Sequence, residues 1–400
     1  MSTKARSIAL IIFCQVACMT LWFSASAVVP GLIAAGLISS ARGSLLTGAV
    51  QLGFVGGTLI SAYFGLPDRL DPRRLFAGAA LLGSITNVLI LATGFDHPLT
   101  IALRFITGIA LAGVYPVGMK LAAGWAGGRL GLMIGALVGA LTLGSALPHL
   151  FRAISDLDWG VVIAASSLCA LVGALLINLT ALGPAHARAA SFKPAQAWHM
   201  LRKPSVLLVN GGYLGHMWEL YAMWAWIGSF LIWGLSLDGT TGLEANSALM
   251  TFIVVASGAV GCLCAGFLAD RFGRTTVTMV VMLVSGTCAA LIGSAALLGP
   301  AFMMAVAVLW GITIVADSAQ FSAAMTELCE PSLVGTMLTL QTSMGFLLTF
   351  VAIQGMPLAI EWLGWRYAFA VLAIGPFIGA FFMWQLRSQP DALKLAGGKR

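Results

Sequence analysis

Long apolar runs alternate with short polar breaks along the whole chain. A helix needs about 20 mostly apolar residues to cross the hydrocarbon core of a bilayer. Breaks at charge clusters and Gly/Pro turns predict twelve such spans, numbered 1 to 12 in chain order, at residues 8–36, 43–65, 75–95, 99–122, 129–151, 160–182, 205–235, 246–268, 275–297, 301–325, 333–356 and 366–386. The pattern therefore predicts an all-α integral membrane protein.

The first apolar run also has features of a cleaved secretion signal, with Lys4 and Arg6 before it and Ser-Ala-Ser-Ala at 24–27. It continues past that stretch to Gly36, which makes it long enough to span a bilayer. We expect it to be the first transmembrane helix.

Several features occur twice, at a nearly constant separation along the chain. The matching pairs are Asp68-Arg69 with Asp270-Arg271, Gly108 with Gly311, and Trp159 with Trp365. Such a series indicates two pseudo-symmetric six-helix bundles of parallel topology. We predict an N-terminal six-helix bundle at residues 1–182, a cytoplasmic linker at 183–204 and a C-terminal six-helix bundle at 205–400.

The linker is the longest polar stretch inside the chain. Its Trp198, Met200 and Leu201 lie beside Arg202 and Lys203, a pattern typical of a short helix on the membrane surface. A plain basic linker explains the same residues equally well.

Composition agrees with a membrane location and argues against several other classes. Hydrophobic residues make up 60% of the chain and charged residues 9%, where soluble domains have about 25% charged residues. The seven cysteines form no metal-spaced set, so we expect neither a metal site nor a cofactor. The sequence contains no His-Glu-x-x-His, Gly-x-Ser-x-Gly or phosphate-binding loop motif, so we do not expect an enzyme or an ATP-driven pump.

The net charge of +7 is explained by topology. Most of the 21 Lys and Arg residues fall in segments that face the cytoplasm if the N-terminus is inside, as the positive-inside rule requires. We therefore expect a multi-pass protein of the inner (plasma) membrane with both termini cytoplasmic. Because the charge is spread over many loops, no nucleic-acid partner is expected.

Residues 266–274 read GFLADRFGR, and residues 64–74 read FGLPDRLDPRR. Six plus six helices with such acid–arginine loops after spans 2 and 8 resemble the major facilitator superfamily, whose loop motif is Gly-x-Leu-Ala-Asp-Arg-x-Gly-Arg-Arg/Lys. The second loop matches it at every defined position except the last, where Thr275 stands. The first loop is degraded, with Phe64 in place of the leading glycine. Arg104 and Gly108 in span 4, and Gly364-Trp365-Arg366 before span 12, extend the resemblance.

The resemblance implies that these loops form a gating latch on the cytoplasmic side. We expect Gly266 to permit close approach of a neighbouring helix and Gly273 to allow the sharp turn. Asp270 would favour the N-terminus of the next helix and pair with an arginine of the other half. The expected gating residues are Asp68, Arg69, Gly266, Asp270, Arg271, Gly273 and Arg274. The alternative is that the arginines only fix topology.

Two acids, Glu219 and Asp317, lie well inside predicted spans, where an ionisable group is costly and invites a functional interpretation. His216 shares one helical face with Glu219 because the two are three residues apart. The resemblance implies that helices 1, 4, 7 and 10 line a central cavity, and these acids fall in spans 7 and 10. Burial disfavours a charged carboxylate, so either acid is a candidate proton carrier. The alternative is a structural contact between helices.

Other polar and aromatic residues complete the predicted pathway. Arg104 enters span 4 from the outer end, and we expect it to face the cavity, where it binds an anion or pairs with Glu219, or else to snorkel to the surface. The candidates for a pocket wall are Gln15, Trp22, Tyr115, Tyr221 and Trp224, and Gln320, three residues after Asp317, is a further candidate of the substrate or proton pathway. For each aromatic residue, ordinary packing is the alternative.

The resemblance implies a secondary active transporter that moves a small solute by alternating access, with proton coupling expected. Arg104 and His216 favour a small anion or organic acid. The alternative is a proton-antiporting exporter of lipophilic drugs or metabolites, although residues 135–150 lack the Gly-Pro pair that the superfamily's multidrug antiporters carry in helix 5. The alternative from a different class is an ion channel. The expected partners are a small-molecule substrate, protons and the lipid bilayer, and the expected functional unit is a monomer.

Overall fold

A computed structural model describes residues 2–125, 130–155, 158–184, 194–237, 239 and 243–400. Residues 185–193 of the predicted linker lie outside these ranges. The helices are Thr3–Phe23 and Val29–Ala34 (span 1), Ser40–Phe64 (span 2), Pro72–Val88 and Ile90–Thr93 (span 3), Leu99–Ala112 and Tyr115–Ala123 (span 4), Leu130–Ile154 (span 5), Trp159–Leu176 (span 6), Pro194–Leu201 (the surface helix), Pro204–Ser236 (span 7), Leu243–Phe272 (span 8), Arg274–Ala296 (span 9), Pro300–Ile314 and Ser318–Leu328 (span 10), Val334–Ala368 and Ile374–Arg387 (spans 11 and 12). A one-turn helix, Leu66–Arg69, lies in the first loop.

The structure confirms the predicted all-α membrane fold. Within the described ranges, ten helical stretches are long and apolar enough to cross a membrane. One of them, Val334–Arg387, has 54 residues and breaks at Gly364 (φ 68°, ψ 167°), so it contains two spans. The helix Pro204–Ser236 completes the twelve, since its 33 residues rise about 50 Å.

Spans 1, 4 and 10 are interrupted, whereas span 7 is continuous. Pro30 and Pro116 are the second residues of the second segments of spans 1 and 4, in the first turn, where a backbone N–H has no partner within the helix. Pro148 and Pro357, by contrast, lie inside continuous helices. The interruption of span 10 places Asp317 just before the helix Ser318–Leu328.

The predicted glycine repeat is a repeated contact between helices. A Cβ on Gly108 of span 4 would collide with the backbone oxygen of Val50 in span 2. A Cβ on Gly311 of span 10 would collide with the backbone oxygen of Val254 in span 8. Spans 2 and 4 therefore pack backbone to backbone in the first half, and spans 8 and 10 do the same in the second.

The halves meet along two pairs of helices. Span 2 packs along span 11, and span 5 packs along span 8. The first pair includes a polar tie, in which Ser44 Oγ donates to Gln354 Oε1 at 2.9 Å. These two contacts frame the region in which spans 1 and 7 face each other.

The two ends of the chain lie on the same side of the bundle. Near the N-terminus, Ser7 Oγ accepts a hydrogen bond from the Ala181 backbone amide, which follows span 6. Near the C-terminus, Ser205 at the start of span 7 donates to Asp391. Since span 6 ends and span 7 begins on one side of the fold, both chain ends lie on that side.

Candidate transport site

Glu219 lies in the middle of span 7, and only 2% of its surface is exposed. Trp310 Nε1 of span 10 donates to its Oε1 at 2.7 Å, and Ser285 Oγ of span 9 lies 2.9 Å from both carboxylate oxygens. Within the described residues, no basic side chain pairs with it. The carboxyl group is thus held by neutral donors in a dry environment.

His216 and Asp317 form a second buried pair between spans 7 and 10. His216 Nδ1 lies 2.9 Å from Asp317 Oδ1, at an ion-pair distance but without hydrogen-bond geometry, and both side chains are about 2–3% exposed. Ser318 Oγ lies 2.7 Å from the other ring nitrogen, Nε2. Both ring nitrogens therefore contact oxygen atoms of span 10, and the ring has no free polar edge.

Gln320 occupies a different place from the one expected. Its Oε1 accepts a hydrogen bond from Arg274 Nη1 at 2.8 Å. Arg274 also binds Glu327 through Nε and Nη2, at 2.8 Å and 2.7 Å. Gln320 therefore shares one polar cluster with Arg274 and Glu327, and it does not join the His216–Asp317 pair.

Each of the two predicted gating loops lies in an ion-pair region that joins helices of the same half. In the first loop, Asp68 pairs with Lys120 of span 4, whose Nζ also donates to the Pro67 carbonyl oxygen at 2.9 Å. In the second loop, Arg274 of span 9 binds Glu327 of span 10. Both ion pairs lie within one half, so neither is a bond across the interface of the two halves.

Two contacts expected of the second loop, at Gly266 and at Asp270, are absent among the described residues. A Cβ on Gly266 would meet no atom within 4 Å, so that glycine makes no close helix contact. Asp270 is exposed, and among the described residues its carboxylate forms no ion pair with an arginine of the other half. Arg69 and Arg271 are also exposed, with Arg271 over the Phe272 ring.

Gly273 lies at the turn where the sequence places it. Its φ is 93°, a left-handed conformation that favours glycine, and it precedes the first residue of span 9. A Cβ there would collide with the backbone oxygen of Arg400. The glycine thus permits both the turn between spans 8 and 9 and the close approach of the C-terminal segment.

Arg104 occupies neither of its two expected positions. It is fully buried, and its Nη atoms donate to the carbonyl oxygens of Leu21 and Trp22 and to the side chains of Ser24 and Asn87, at 2.7–3.1 Å. The guanidinium group therefore ties span 4 to spans 1 and 3 inside the N-terminal half. It does not reach Glu219, whose partners are in spans 9 and 10.

Six aromatic residues form a cluster where the two halves face each other, which we call the aromatic cluster: Trp22, Phe23, Phe54, Tyr221, Trp224 and Phe346. Trp22 of span 1 stacks on Tyr221 of span 7, with ring centroids 5.7 Å apart. Phe54 of span 2 packs on Phe346 of span 11 at 4.6 Å. The cluster therefore joins two helices from each half.

Polar atoms without partners accompany these rings. In the described part of the chain, several buried polar atoms lack a hydrogen-bond partner. They are the ring nitrogens of Trp22 and Trp224 and the side-chain amide oxygen and nitrogen of Gln15 and of Gln51. Gln15 packs against Gly118 of span 4, and Tyr115 of the same span packs partly buried against this core. A binding surface with large apolar rings and a few free donors and acceptors is typical of a small-molecule site.

Sequence reasoning missed several residues of these groups. Ser285 and Trp310 hold Glu219, but nothing in the apolar runs of spans 9 and 10 distinguishes them. Phe54 and Phe346 belong to the aromatic cluster, and the periodicity of a helix that is apolar on all sides does not show which face is inward.

Two linked helix bundles that share a buried aromatic cluster are the architecture typical of a multi-span secondary transporter. The chain belongs to the Major Facilitator Superfamily, whose family model matches residues 11–353. The resemblance inferred from the loop motifs is thereby confirmed.

A relative and three solved structures are similar to this chain. The agnestins efflux protein AgnL12 of Paecilomyces divaricatus is 26% identical over 314 residues, which cover 75% of this chain and 66% of that protein. The chain therefore spans slightly less than two thirds of that relative's length.

Among solved structures, a bacterial homologue of the human lysosomal transporter Spinster has a TM-score of 0.73 at 14% identity, covering 97% of this chain and 98% of its own. The proton:xylose symporter XylE has a TM-score of 0.72 at 14% identity, and the match covers 96% of each chain. The nucleoside transporter NupG has a TM-score of 0.71 at 13% identity, and the match covers 97% of this chain and 100% of NupG. At these identities the likeness shows the fold.

Proposed function

We propose that the protein is a proton-coupled secondary transporter that exports a small, largely apolar aromatic solute by alternating access. The observation that carries this proposal is the aromatic cluster between the halves, together with its buried and unpartnered indole and amide groups. The aromatic rings favour a solute with an aromatic or aliphatic surface, and the few unpartnered polar groups would orient that solute.

The geometry weighs against the anion or organic acid that the sequence favoured. That preference rested on Arg104 and His216, and both are occupied by other groups. Arg104 donates to four acceptors within its own half, and His216 lies against Asp317 and Ser318. An anion at the cluster would therefore meet no free cation among the described residues that surround it.

Proton coupling is supported by the position of Glu219. An unpaired carboxylate in a dry site is costly, and protonation removes that cost. Glu219 and Tyr221 are two residues apart, so they point to nearly opposite sides of span 7. A change of protonation at Glu219 would alter how span 7 packs on spans 9 and 10, and the same helix carries Tyr221 and Trp224 to the solute.

Export as the direction rests on a single likeness. AgnL12, which is 26% identical, is named an efflux protein. We therefore extend outward transport to this chain, with the inner (plasma) membrane and a cytoplasmic location of both ends as part of the proposal. Labelling of single cysteines at each end from either side of sealed cells tests the orientation.

The function is tested in proteoliposomes that contain a trapped pH indicator. Neutral planar aromatic compounds, nitrate, a monocarboxylate and a sugar are added in turn under an imposed pH gradient. We expect saturable, solute-dependent proton flux with the aromatic compounds only. Proton flux with nitrate or the monocarboxylate alone would overturn the substrate class, and ion conduction without any solute would favour a channel.

Glu219→Gln is the decisive variant. We expect it to abolish solute-driven proton flux and to keep exchange of labelled for unlabelled solute, because exchange needs no net proton movement. Glu361→Gln is the matched control, since Glu361 is an exposed acid of span 11. Proton flux that survives in Glu219→Gln would remove Glu219 from the coupling pathway.

A further inference from the structure

A deep groove lies on the C-terminal half between spans 7, 11 and 12, beneath the surface helix Pro194–Leu201. Its volume is about 690 Å³. No residue of the aromatic cluster lines it, so it is separate from the proposed transport site. The groove is open at the surface of the bundle, where Leu207, Ile374 and Ile378 are about half exposed.

The inner end of the groove carries a positive charge. Arg202 lines it, is exposed, and lies over the ring of Trp198 with its guanidinium carbon 5.1 Å from the ring centroid. In the described part of the chain no carboxylate forms an ion pair with Arg202. Stacking on Trp198 fixes one face of the guanidinium group and leaves its edge free for an anion.

A single polar side chain lies further along the groove. Asn210 is only 5% exposed, and its Oδ1 accepts a hydrogen bond from Gln341 Nε2 at 3.2 Å. Its Nδ2 has no acceptor among the described residues. Asn210 is six residues beyond Pro204, so it lies about 9 Å deeper in the membrane than the start of span 7.

Beyond Asn210 the groove is apolar. Leu214, Trp218, Leu348 and Ile378 line it, and the ring nitrogen of Trp218 is already bonded to the Val371 carbonyl oxygen at 3.2 Å. Trp218 lies about 21 Å along the helix from Pro204. The groove therefore runs from a cation, past one free amide donor, to a long hydrocarbon surface.

We propose that this groove binds one anionic phospholipid from the leaflet that contacts the surface helix. The phosphate pairs with Arg202, an ester carbonyl oxygen accepts from Asn210 Nδ2, and one acyl chain fills the apolar part. This order of charge, acceptor and chain is the order of groups along a phospholipid. Basic pockets between transmembrane helices suit anionic head groups. The inference rests on the membrane location alone and is independent of the proposed substrate.

Delipidated protein in detergent is titrated with phosphatidylglycerol, and bound copies are counted by native mass spectrometry. We expect one tightly bound lipid, with phosphatidylcholine bound at least about fivefold more weakly because it carries no net negative charge. Arg202→Ala should lower the affinity for phosphatidylglycerol by about fivefold, and Arg202→Lys should restore most of that affinity. Leu214→Trp fills the groove and should abolish binding of the tightly bound lipid.

Arg74→Ala is the matched control, because Arg74 is an exposed arginine of the other half. It should leave the tight copy unchanged, and thermal unfolding of every variant confirms that it is folded. Equal binding by Leu214→Trp and the parent protein would place the lipid elsewhere and overturn the proposal. Displacement of the tightly bound lipid by inorganic phosphate or by a free fatty acid would likewise overturn it.

Discussion

The two halves share one architecture and differ in the charge that each one buries. Both pack a glycine of the fourth helix of the half against the backbone of the second, through Gly108 and Gly311. The N-terminal half buries a cation, Arg104, among four oxygen acceptors. The C-terminal half buries two acids, Glu219 and Asp317.

The difference teaches which half can change its charge. An arginine keeps its proton under all ordinary conditions, so the Arg104 contacts are permanent and the N-terminal half acts as a fixed frame. Carboxyl groups and histidine gain and lose protons more readily. Under the proposed proton coupling, we expect the responsive groups to be Glu219 and His216 of span 7, in the C-terminal half.

The largest expected effect comes from removing the fixed cation. Arg104→Leu removes the guanidinium donors from the buried carbonyl oxygens of Leu21 and Trp22, and we expect a loss of about 3–5 kcal/mol in the free energy of unfolding. Unfolding in detergent micelles with increasing dodecyl sulfate measures this loss. A loss below about 1 kcal/mol would contradict the view of the N-terminal half as a frame fixed by Arg104.

The next effect compares the inner ion pairs of the two halves. Arg274→Ala removes a bidentate pair with Glu327 and the bond to Gln320, and we expect a loss of about 1–2 kcal/mol, since Glu327 is partly exposed. The same micelle titration measures it. Arg271→Ala is the control, because Arg271 is exposed and belongs to the same loop. Equal losses in both variants would show that the bidentate pair contributes nothing of its own.

A smaller effect isolates the buried pair of the C-terminal half. Asp317→Asn and His216→Gln, combined in a double-mutant cycle, should show a coupling energy of about 1 kcal/mol, because the two side chains touch directly. The cycle is measured on the free energy of unfolding. If the two losses are additive, the contact between His216 and Asp317 at 2.9 Å contributes nothing to the free energy of unfolding.

The smallest effect is expected at the first gating loop. Lys120→Ala breaks one partly exposed pair with Asp68, and such pairs contribute about 0.2–1 kcal/mol. The effect should shrink when salt is raised, because mobile ions screen exposed charges. A loss larger than that of Arg274→Ala would reverse the ranking of the two loops.

The sequence predicts the framework of the molecule well. Apolar runs about 20 residues long predict the spans because the bilayer sets their length, and the repeated features predict two related halves. Gly108 and Gly311, which the sequence showed as a repeat, lie at equivalent close helix contacts, where there is no room for a side chain. Burial of Glu219 and Asp317 also follows from sequence, since charged groups in spans avoid lipid.

The partners of those residues do not follow from sequence. Arg104 is buried inside one half because Leu21 and Trp22 expose carbonyl oxygens where span 1 is interrupted, and an apolar run gives no sign of such acceptors. Pro30 and Pro116 begin helix segments, whereas Pro148 and Pro357 lie within continuous helices, so proline alone does not fix a break. Gly266 matches the family motif, yet a Cβ there would meet no atom within 4 Å.

The two glycine contacts have a mechanical consequence. Helices whose backbones touch have no soft side chains between them, so spans 2 and 4 resist sliding, and so do spans 8 and 10. Each half would then move as a stiff block, and shape change would concentrate at the seams between span 2 and span 11 and between span 5 and span 8. A bulky residue at either glycine would push apart two helices of the same half, and that half would then lose its stiffness.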